Sequence, residues 1–164
     1  MALFQKNMAE YHKQLQKGMI NKAYKGLMEY LMYLRIHFKN THPDIFIPGT
    51  FYSGYMDMSY FSLVPESLKR HNLKIAVVFL HEAFRFEAWL AGANKQIQTK
   101  YWELFKESGW KKYPIVATTK DADAVIEHVL VDIPDFSNLD ALTAAIEKET
   151  IQFIEYIEKF LSEK

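Results

Sequence analysis

The hydrophobic pattern of this chain is centred on residues 74–91, which include its longest unbroken apolar run. Because strand side chains alternate between the two faces of a sheet, antiparallel pairing within this stretch collects apolar residues on one face. The opposed pairs on that face are Phe79 with Phe86, Val77 with Ala88 and Ile75 with Leu90. The other face pairs Leu80 with Arg85, Val78 with Glu87 and Ala76 with Trp89. The pattern predicts a β-hairpin at the centre of a sheet.

The turn of this hairpin is less clearly encoded than its strands. Glu82 and Ala83 would form a two-residue turn, although such turns favour Gly or Asn. A longer loop from Leu80 to Arg85 is the alternative, and it keeps both strands.

Helical patterns lie on both sides of the hairpin. Apolar residues recur at three- and four-residue spacing over residues 4–15 and 20–38, which predicts two helices. Lys17-Gly18 separates them, and so short a link predicts an antiparallel αα-hairpin. A further helix follows Asn94, and a long C-terminal helix starts at Ser137.

Two further segments are predicted to be strands. Residues 52–61 alternate aromatic and polar side chains, and Gly54 would mark a bulge or a point of close approach. Residues 125–131 suit either a strand or a helix, and their β-branched content favours the strand.

The whole chain is thus predicted to be a single domain, residues 1–164, of the α+β class. The N-terminal αα-hairpin and the long C-terminal helix would pack on a small, mainly antiparallel sheet centred on the 74–91 hairpin. No internal repeat, low-complexity tract or linker divides the sequence.

The composition excludes several classes of function. Lys and Arg together number 20, as do Asp and Glu, so the net charge is zero and argues against a nucleic-acid-binding surface. The absence of cysteine excludes disulfides, thiolate metal sites and cysteine nucleophiles. No secretory signal is visible, and no apolar run approaches the roughly 20 residues that cross a bilayer. We therefore expect a cytoplasmic protein with no membrane segment.

The candidate site lies on the hairpin face opposite the apolar one. Arg85, Glu87 and Trp89 project there, and Tyr55 and Asp57 would join them if residues 52–61 form a strand beside the hairpin. These groups could bind a polar small molecule, or support acid–base chemistry if burial raised the pKa of one carboxylate. Alternatively, Arg85 pairs with Asp57 or Glu87 and only stabilises the strands.

The start of the helix after the hairpin is a second candidate. Asn94 and Lys95 could receive an anion at the free N–H groups of this helix, although ordinary capping also explains Asn94. His81-Glu82 lacks the second histidine of the zinc-protease motif. His37 and His42 lie five residues apart across a helix end, which is not a metal-binding spacing. We therefore predict no metal and no cofactor.

Several stretches of the sequence together resemble one family. They are residues 22–28 and 54–58, His81-Glu82 with residues 85–90, residues 94–98 and residues 134–136. The chain resembles an uncharacterised family of small bacterial proteins of similar length, over nearly its whole extent. The resemblance implies a cytoplasmic bacterial protein made of this one domain, and it supplies no activity, cofactor or catalytic residue.

Three functions fit these observations. The first is a small ligand-binding or interaction module that holds a polar ligand or a protein partner. The second is an enzyme that uses Asp57 or Glu87 as acid–base and Arg85 as anion anchor. The third is a structural protein that forms homo-oligomers. An unpaired Arg85 in a concave pocket would favour the first two, whereas a paired Arg85 and an apolar patch on the N-terminal helices would favour the third.

Overall fold

A five-stranded antiparallel sheet, with its strands in chain order, forms the centre of the computed structural model, which describes residues 1–164. The strands are β1 Phe51–Tyr52, β2 Met58–Leu63, β3 Leu73–Leu80, β4 Arg85–Gly92 and β5 Ile126–Val131. The helices are α1 Ala2–Gln16, α2 Met19–Thr41, α3 Glu66–Lys69, α4 Lys95–Glu107 and α5 Leu139–Ser162. The predicted α+β class, with an N-terminal helix pair and a long C-terminal helix, is confirmed.

The central hairpin has the predicted register. β3 and β4 pair Leu80 with Arg85 and continue to Leu73 with Gly92 without a break. The two-residue turn is wrong and the longer loop is correct, because the chain needs four residues, 81–84, to reverse. Phe84 takes a positive φ of 57°, and its N–H donates to the carbonyl oxygen of Leu80 at 2.8 Å.

The apolar face of the sheet packs against α2, α4 and α5 in one continuous core. Leu31, Leu34 and Phe38 of α2 are fully buried there, as are Ile146 and Phe153 of α5. Full burial of one such side chain contributes about 1.5–3 kcal/mol relative to exposure. The apolar face that the alternation predicted is therefore also the main source of stability, because its side chains are buried in this core.

The segment predicted as one strand over residues 52–61 is two strands joined by a turn. Gly54 and Met56 have φ values of 72° and 64°, which interrupt the extended backbone. A Cβ on Gly54 would lie 2.0 Å from the carbonyl oxygen of Met58, so the predicted close approach is confirmed. Tyr55 and Asp57 consequently lie in the β1–β2 loop and not on the sheet.

The remaining sequence predictions differ in outcome. Residues 126–131 form a strand, as predicted, and pair with β4. Asn94 caps α4 by accepting a hydrogen bond from the N–H of Ile97. The start of α5 was predicted one residue early, because Asn138 rather than Ser137 is its N-cap and accepts from the N–H of Ala141.

The N-terminal helices contribute unequally to the core. α1 has no buried residue, and the buried residues of α2 begin only at Tyr30. The first turns of α2 therefore remain uncovered and border an open space beside the hairpin loop. None of the five helices combines the length and apolarity that a bilayer crossing requires.

Candidate functional site

The polar cluster predicted on β4 exists and is internally paired. One carboxylate oxygen of Glu87, Oε2, accepts from Arg85 Nε at 2.7 Å, and the other, Oε1, accepts from Trp89 Nε1 at 2.9 Å. Glu87 is only 2% exposed. Arg85 also contacts Asp132 at 3.5 Å, and its hydrogen bond to Glu87 raises the pKa of the guanidinium. The cluster holds three side chains of one strand together.

Glu127 joins the same face of the sheet from β5, opposite Trp89, and sequence reasoning missed it. Burial raises the pKa of Glu127, and the charges of Glu87 and Asp123 raise it further. The alternation of β5 could have identified Glu127, because in a strand it shares a face with Val129, and these two residues pair with Trp89 and Glu87 of β4.

The other predicted residues lie in two separate places. Tyr55 is 90% exposed, and its N–H donates to Asp57 Oδ1 at 2.9 Å. Hydrogen bonds from the N–H groups of Tyr55 and Met58 lower the pKa of Asp57. This carboxylate is therefore ionised, and its hydrogen bonds are made within the β1–β2 turn.

Asn94 and Lys95 lie beyond the far end of β4. A strand rises about 3.3 Å per residue, so the length of β4 separates them from Arg85 by roughly 20 Å. The seven predicted residues thus form three groups, and their ligand-binding role stays a prediction.

A cavity of about 570 Å³ opens beside the loop that joins β3 and β4. Nine of its twelve lining residues are apolar, the composition expected of a small-molecule site of this size. The walls come from four separated segments: α2, the β1–β2 loop, the hairpin loop and the start of α5. The lining residues are Ile20, Lys22, Ala23, Tyr24, Gly26, Leu27, Tyr30, Met56, His81, Phe84, Phe136 and Leu139.

Aromatic side chains form much of this lining. Phe84, at the end of the hairpin loop, is 56% exposed and lies 5.9 Å from Phe136, measured between ring centroids. The Tyr24 ring lies 6.0 Å from the imidazole of His81. Gly26 leaves a gap in the helical wall, since a Cβ there would meet no atom within 4 Å.

The hydrogen bonds of Ser59 determine which nitrogen of His81, a residue that lines the cavity, carries the proton. Ser59 Oγ donates to the carbonyl oxygen of Ser53 at 2.5 Å, because a carbonyl can only accept. That hydroxyl has one proton, so it must accept the hydrogen bond from His81 Nε2 at 2.9 Å. The imidazole therefore carries its proton on Nε2.

The second nitrogen of His81 is free to bind a ligand. Nδ1 has no hydrogen-bond partner in the chain, and Arg35 Nε is the one buried side-chain nitrogen or oxygen atom without a partner, so Nδ1 reaches solvent. Burial lowers the pKa of His81, partly opposed by the charge of Asp57. At neutral pH the imidazole is therefore uncharged and Nδ1 is a hydrogen-bond acceptor.

Two histidines that are distant from this cavity converge on one carboxylate. His37 Nε2 and His42 Nε2 each lie 2.7 Å from a different oxygen of Glu147, which ties the end of α2 to α5. Burial raises the pKa of Glu147, but hydrogen bonds from both imidazoles and their charges lower it, and the net shift is downward. No group of three or more His, Asp or Glu side chains has the arrangement of a metal site.

The structure is a small α+β domain with an antiparallel meander sheet and a mostly apolar cavity at one end of it. The family model described as a domain of unknown function, DUF7000, matches residues 4–161. The chain belongs to this family, which confirms the resemblance to an uncharacterised family. No curated protein and no solved structure shows significant similarity to it.

Proposed function

We propose that this protein is a small binding module whose cavity beside the hairpin loop holds an apolar ligand with one hydrogen-bond donor. The observation that carries the proposal is the free Nδ1 of a neutral His81 in an otherwise mostly apolar cavity. Apolar walls provide affinity through burial, and a single placed polar atom orients the ligand.

The paired Arg85 favours a structural role for the sheet face, as the sequence criterion states, and it leaves the cavity as the candidate ligand site. Both oxygens of Glu87 already accept hydrogen bonds inside the chain. A ligand on that face would have to replace bonds to a buried carboxylate, whose loss is costly. The polar ligand predicted for this face therefore has less support than an apolar ligand in the cavity.

The enzyme hypothesis has less support for the same reason. A general acid or base needs a pKa near the working pH and a free position near the substrate. The pKa of Asp57 is lowered by its own turn, and Glu87 is occupied by Arg85 and Trp89. The two carboxylates that this hypothesis names therefore do not meet these requirements.

Indole and 1-methylindole test the proposal as a matched pair of probes. Both are flat and apolar, but only indole has an N–H group that can donate a hydrogen bond to His81 Nδ1. Isothermal titration calorimetry should show tighter binding of indole, by about 1 kcal/mol or fivefold in dissociation constant. Equal affinities would contradict the role of Nδ1.

Gly26 provides the control for position. Gly26→Phe should place a ring in the cavity and abolish binding of both probes. Gly26→Ala should preserve binding and stabilise α2 by about 1 kcal/mol, the difference in helix propensity. Retained binding in Gly26→Phe would mean that the ligand lies elsewhere.

We also propose that the protein is located in the bacterial cytoplasm. The resemblance of the sequence to small bacterial proteins and the absence of cysteine support this location. Fractionation of cells that express a tagged full chain from its own promoter would test it.

A further inference from the structure

The cavity beside the hairpin loop has polar groups on two opposite flanks. Lys22 and Tyr24 of α2 both line it, and successive residues of an α-helix are about 100° apart around its axis. The two side chains therefore lie on opposite flanks of the α2 wall, with Ala23 between them. Because a helix with its side chains is about 10 Å wide, a ligand that reaches both flanks must be elongated.

His81 belongs to the Tyr24 flank. Its imidazole lies 6.0 Å from the Tyr24 ring, measured between ring centroids, and its backbone N–H donates to the carbonyl oxygen of Asp57 at 3.0 Å. Burial lowers the pKa of His81, and the negative charge of Asp57 opposes this shift. A ligand anion would be repelled on this flank, whereas a hydrogen-bond donor is favoured there.

Lys22 gives the opposite flank a positive charge. It carries the one permanent charge among the twelve lining residues, none of which is a carboxylate. Lys25 of the same helix pairs with Glu29 at 3.9 Å, but the ammonium group of Lys22 has no ion-pair partner in the chain. Lys22 also lies in the first turn of α2, where the helix dipole adds partial positive charge. An anion is therefore favoured on this flank.

The acidic residues beside the α5 wall of the cavity leave Lys22 unpaired. Asp135 and Asp140 neighbour the lining residues Phe136 and Leu139 in sequence, but neither aspartate lines the cavity. Asp135 Oδ1 accepts hydrogen bonds from the N–H and the hydroxyl of Ser137 at 2.9 and 2.6 Å. Asp140 is exposed, so solvent screens its charge. The cavity is thus electrically polarised between its two flanks.

We propose, building on the ligand site in this cavity, that the ligand is an elongated aromatic acid with a single negative charge. Its hydrogen-bond donor lies at His81 and its carboxylate lies at Lys22. The aromatic ring packs between these ends, beside Phe84 and Phe136, whose ring centroids are 5.9 Å apart. Lys22 is the residue that selects an acid over its neutral analogue.

Indole-3-propionate and indole-3-propionamide are a matched pair of probes, since they share a ring and chain and differ in charge. At neutral pH, isothermal titration calorimetry should show about threefold tighter binding of the acid to the wild type, the effect of one solvent-exposed ion pair. This preference should shrink as sodium chloride is added.

Two variants locate the charge that selects the acid. Lys22→Met keeps an apolar stem without the charge and should bind both probes equally. Lys25→Met removes a charge of the same helix outside the cavity and should keep the threefold preference. Both lysines are exposed, so the melting temperature should stay unchanged in both variants.

Indole, titrated beside the two probes, separates this proposal from the proposed function. Equal affinities of acid and amide, with indole bound, would overturn the anionic ligand and leave the cavity as a ligand site. Tighter binding of the amide would show that the charge of Asp57 dominates, and would overturn it as well. A preference for the acid that persists in Lys22→Met would overturn the role of Lys22. If none of the three probes binds, the proposed function fails and the anionic ligand with it.

Discussion

The Arg85 cluster and the cavity around His81 lie near the same end of the sheet, yet they differ in what they leave unpaired. In the cluster, both oxygens of the Glu87 carboxylate accept hydrogen bonds from neighbours on the same strand. In the cavity, the imidazole of His81 is held by Ser59 through one nitrogen and leaves the other free. The cluster contains the residue types expected of a polar binding site, whereas the cavity contains a nitrogen atom, His81 Nδ1, that has no hydrogen-bond partner in the chain.

This difference shows how the two regions should respond to substitution. Residues whose polar groups are all paired inside the chain are expected to act on stability. Residues that line an open cavity are expected to act on binding, with a small effect on the fold. The following substitutions separate these two effects.

The largest effect is expected from Glu87→Ala. The substitution leaves the buried Trp89 Nε1 without an acceptor and removes the main partner of the half-buried Arg85, which together cost roughly 3 kcal/mol. Urea unfolding measures the loss, and Glu87→Gln, which keeps an acceptor for Trp89, should lose less. Loss of indole binding in a folded Glu87→Ala protein would place the ligand on the sheet instead.

A smaller loss is expected from Arg85→Ala. The Arg85 side chain is 35% exposed, so water can partly replace it beside Glu87, and we expect a loss of about 2 kcal/mol. Indole binding should be unchanged. Abolished binding with an unchanged unfolding free energy would show that Arg85 contacts the ligand and would reverse the comparison.

The cluster of His37, His42 and Glu147 is a second region whose polar groups are paired within the chain, and its contribution to stability should depend on pH. The pKa of Glu147 is lowered from 4.5 in the folded protein. The ionised carboxylate of Glu147 therefore stabilises the fold at pH values above 4.5. This contribution is lost as the pH falls through the lowered pKa. Glu147→Gln should cost about 1–2 kcal/mol at neutral pH, and the cost should shrink in acid. A cost independent of pH would mean that the charge of Glu147 contributes nothing.

The smallest effect concerns the cavity itself. The pKa of His81 is lowered from 6.5, so Nδ1 stays an acceptor at and above neutral pH and becomes a donor only as the pH falls through this lowered pKa. Indole affinity should then drop about fivefold, while the affinity of 1-methylindole should stay constant. Parallel pH profiles for the two probes would contradict the assigned role of Nδ1.

The faces of the central hairpin could be predicted from the sequence because its apolar side chains alternate with period two. A shift by one residue would expose Phe79, Phe86 and their neighbours, so alternation assigned each side chain to a face, and the position of the loop then set the pairing. The same alternation placed Arg85 and Glu87 on one face, and the alternative that they pair with each other agrees with the structure.

The β1–β2 loop could not be predicted in this way. Its residues alternate like those of a strand, but positive φ values at Gly54 and Met56 and the bond from Tyr55 to Asp57 turn the chain. These features depend on the local backbone, and propensity for a strand does not reveal them.

The cavity and the Glu147 cluster could not be predicted because they arise from contacts distant in sequence. Glu147 lies 110 residues from His37 and 105 from His42. The walls of the cavity meet only when α2, the hairpin loop and the start of α5 have packed. A space between side chains leaves no pattern in a sequence.

The binding role of the cavity is tested most directly by titrating the isotope-labelled protein with indole and following the backbone amide signals by NMR. We expect the largest shifts at Gly26, His81, Phe84 and Phe136, which line the cavity, and little change at Glu87 and Trp89. Shifts concentrated on β4, or no saturable shift at any residue, would contradict the claim that the cavity is the binding site.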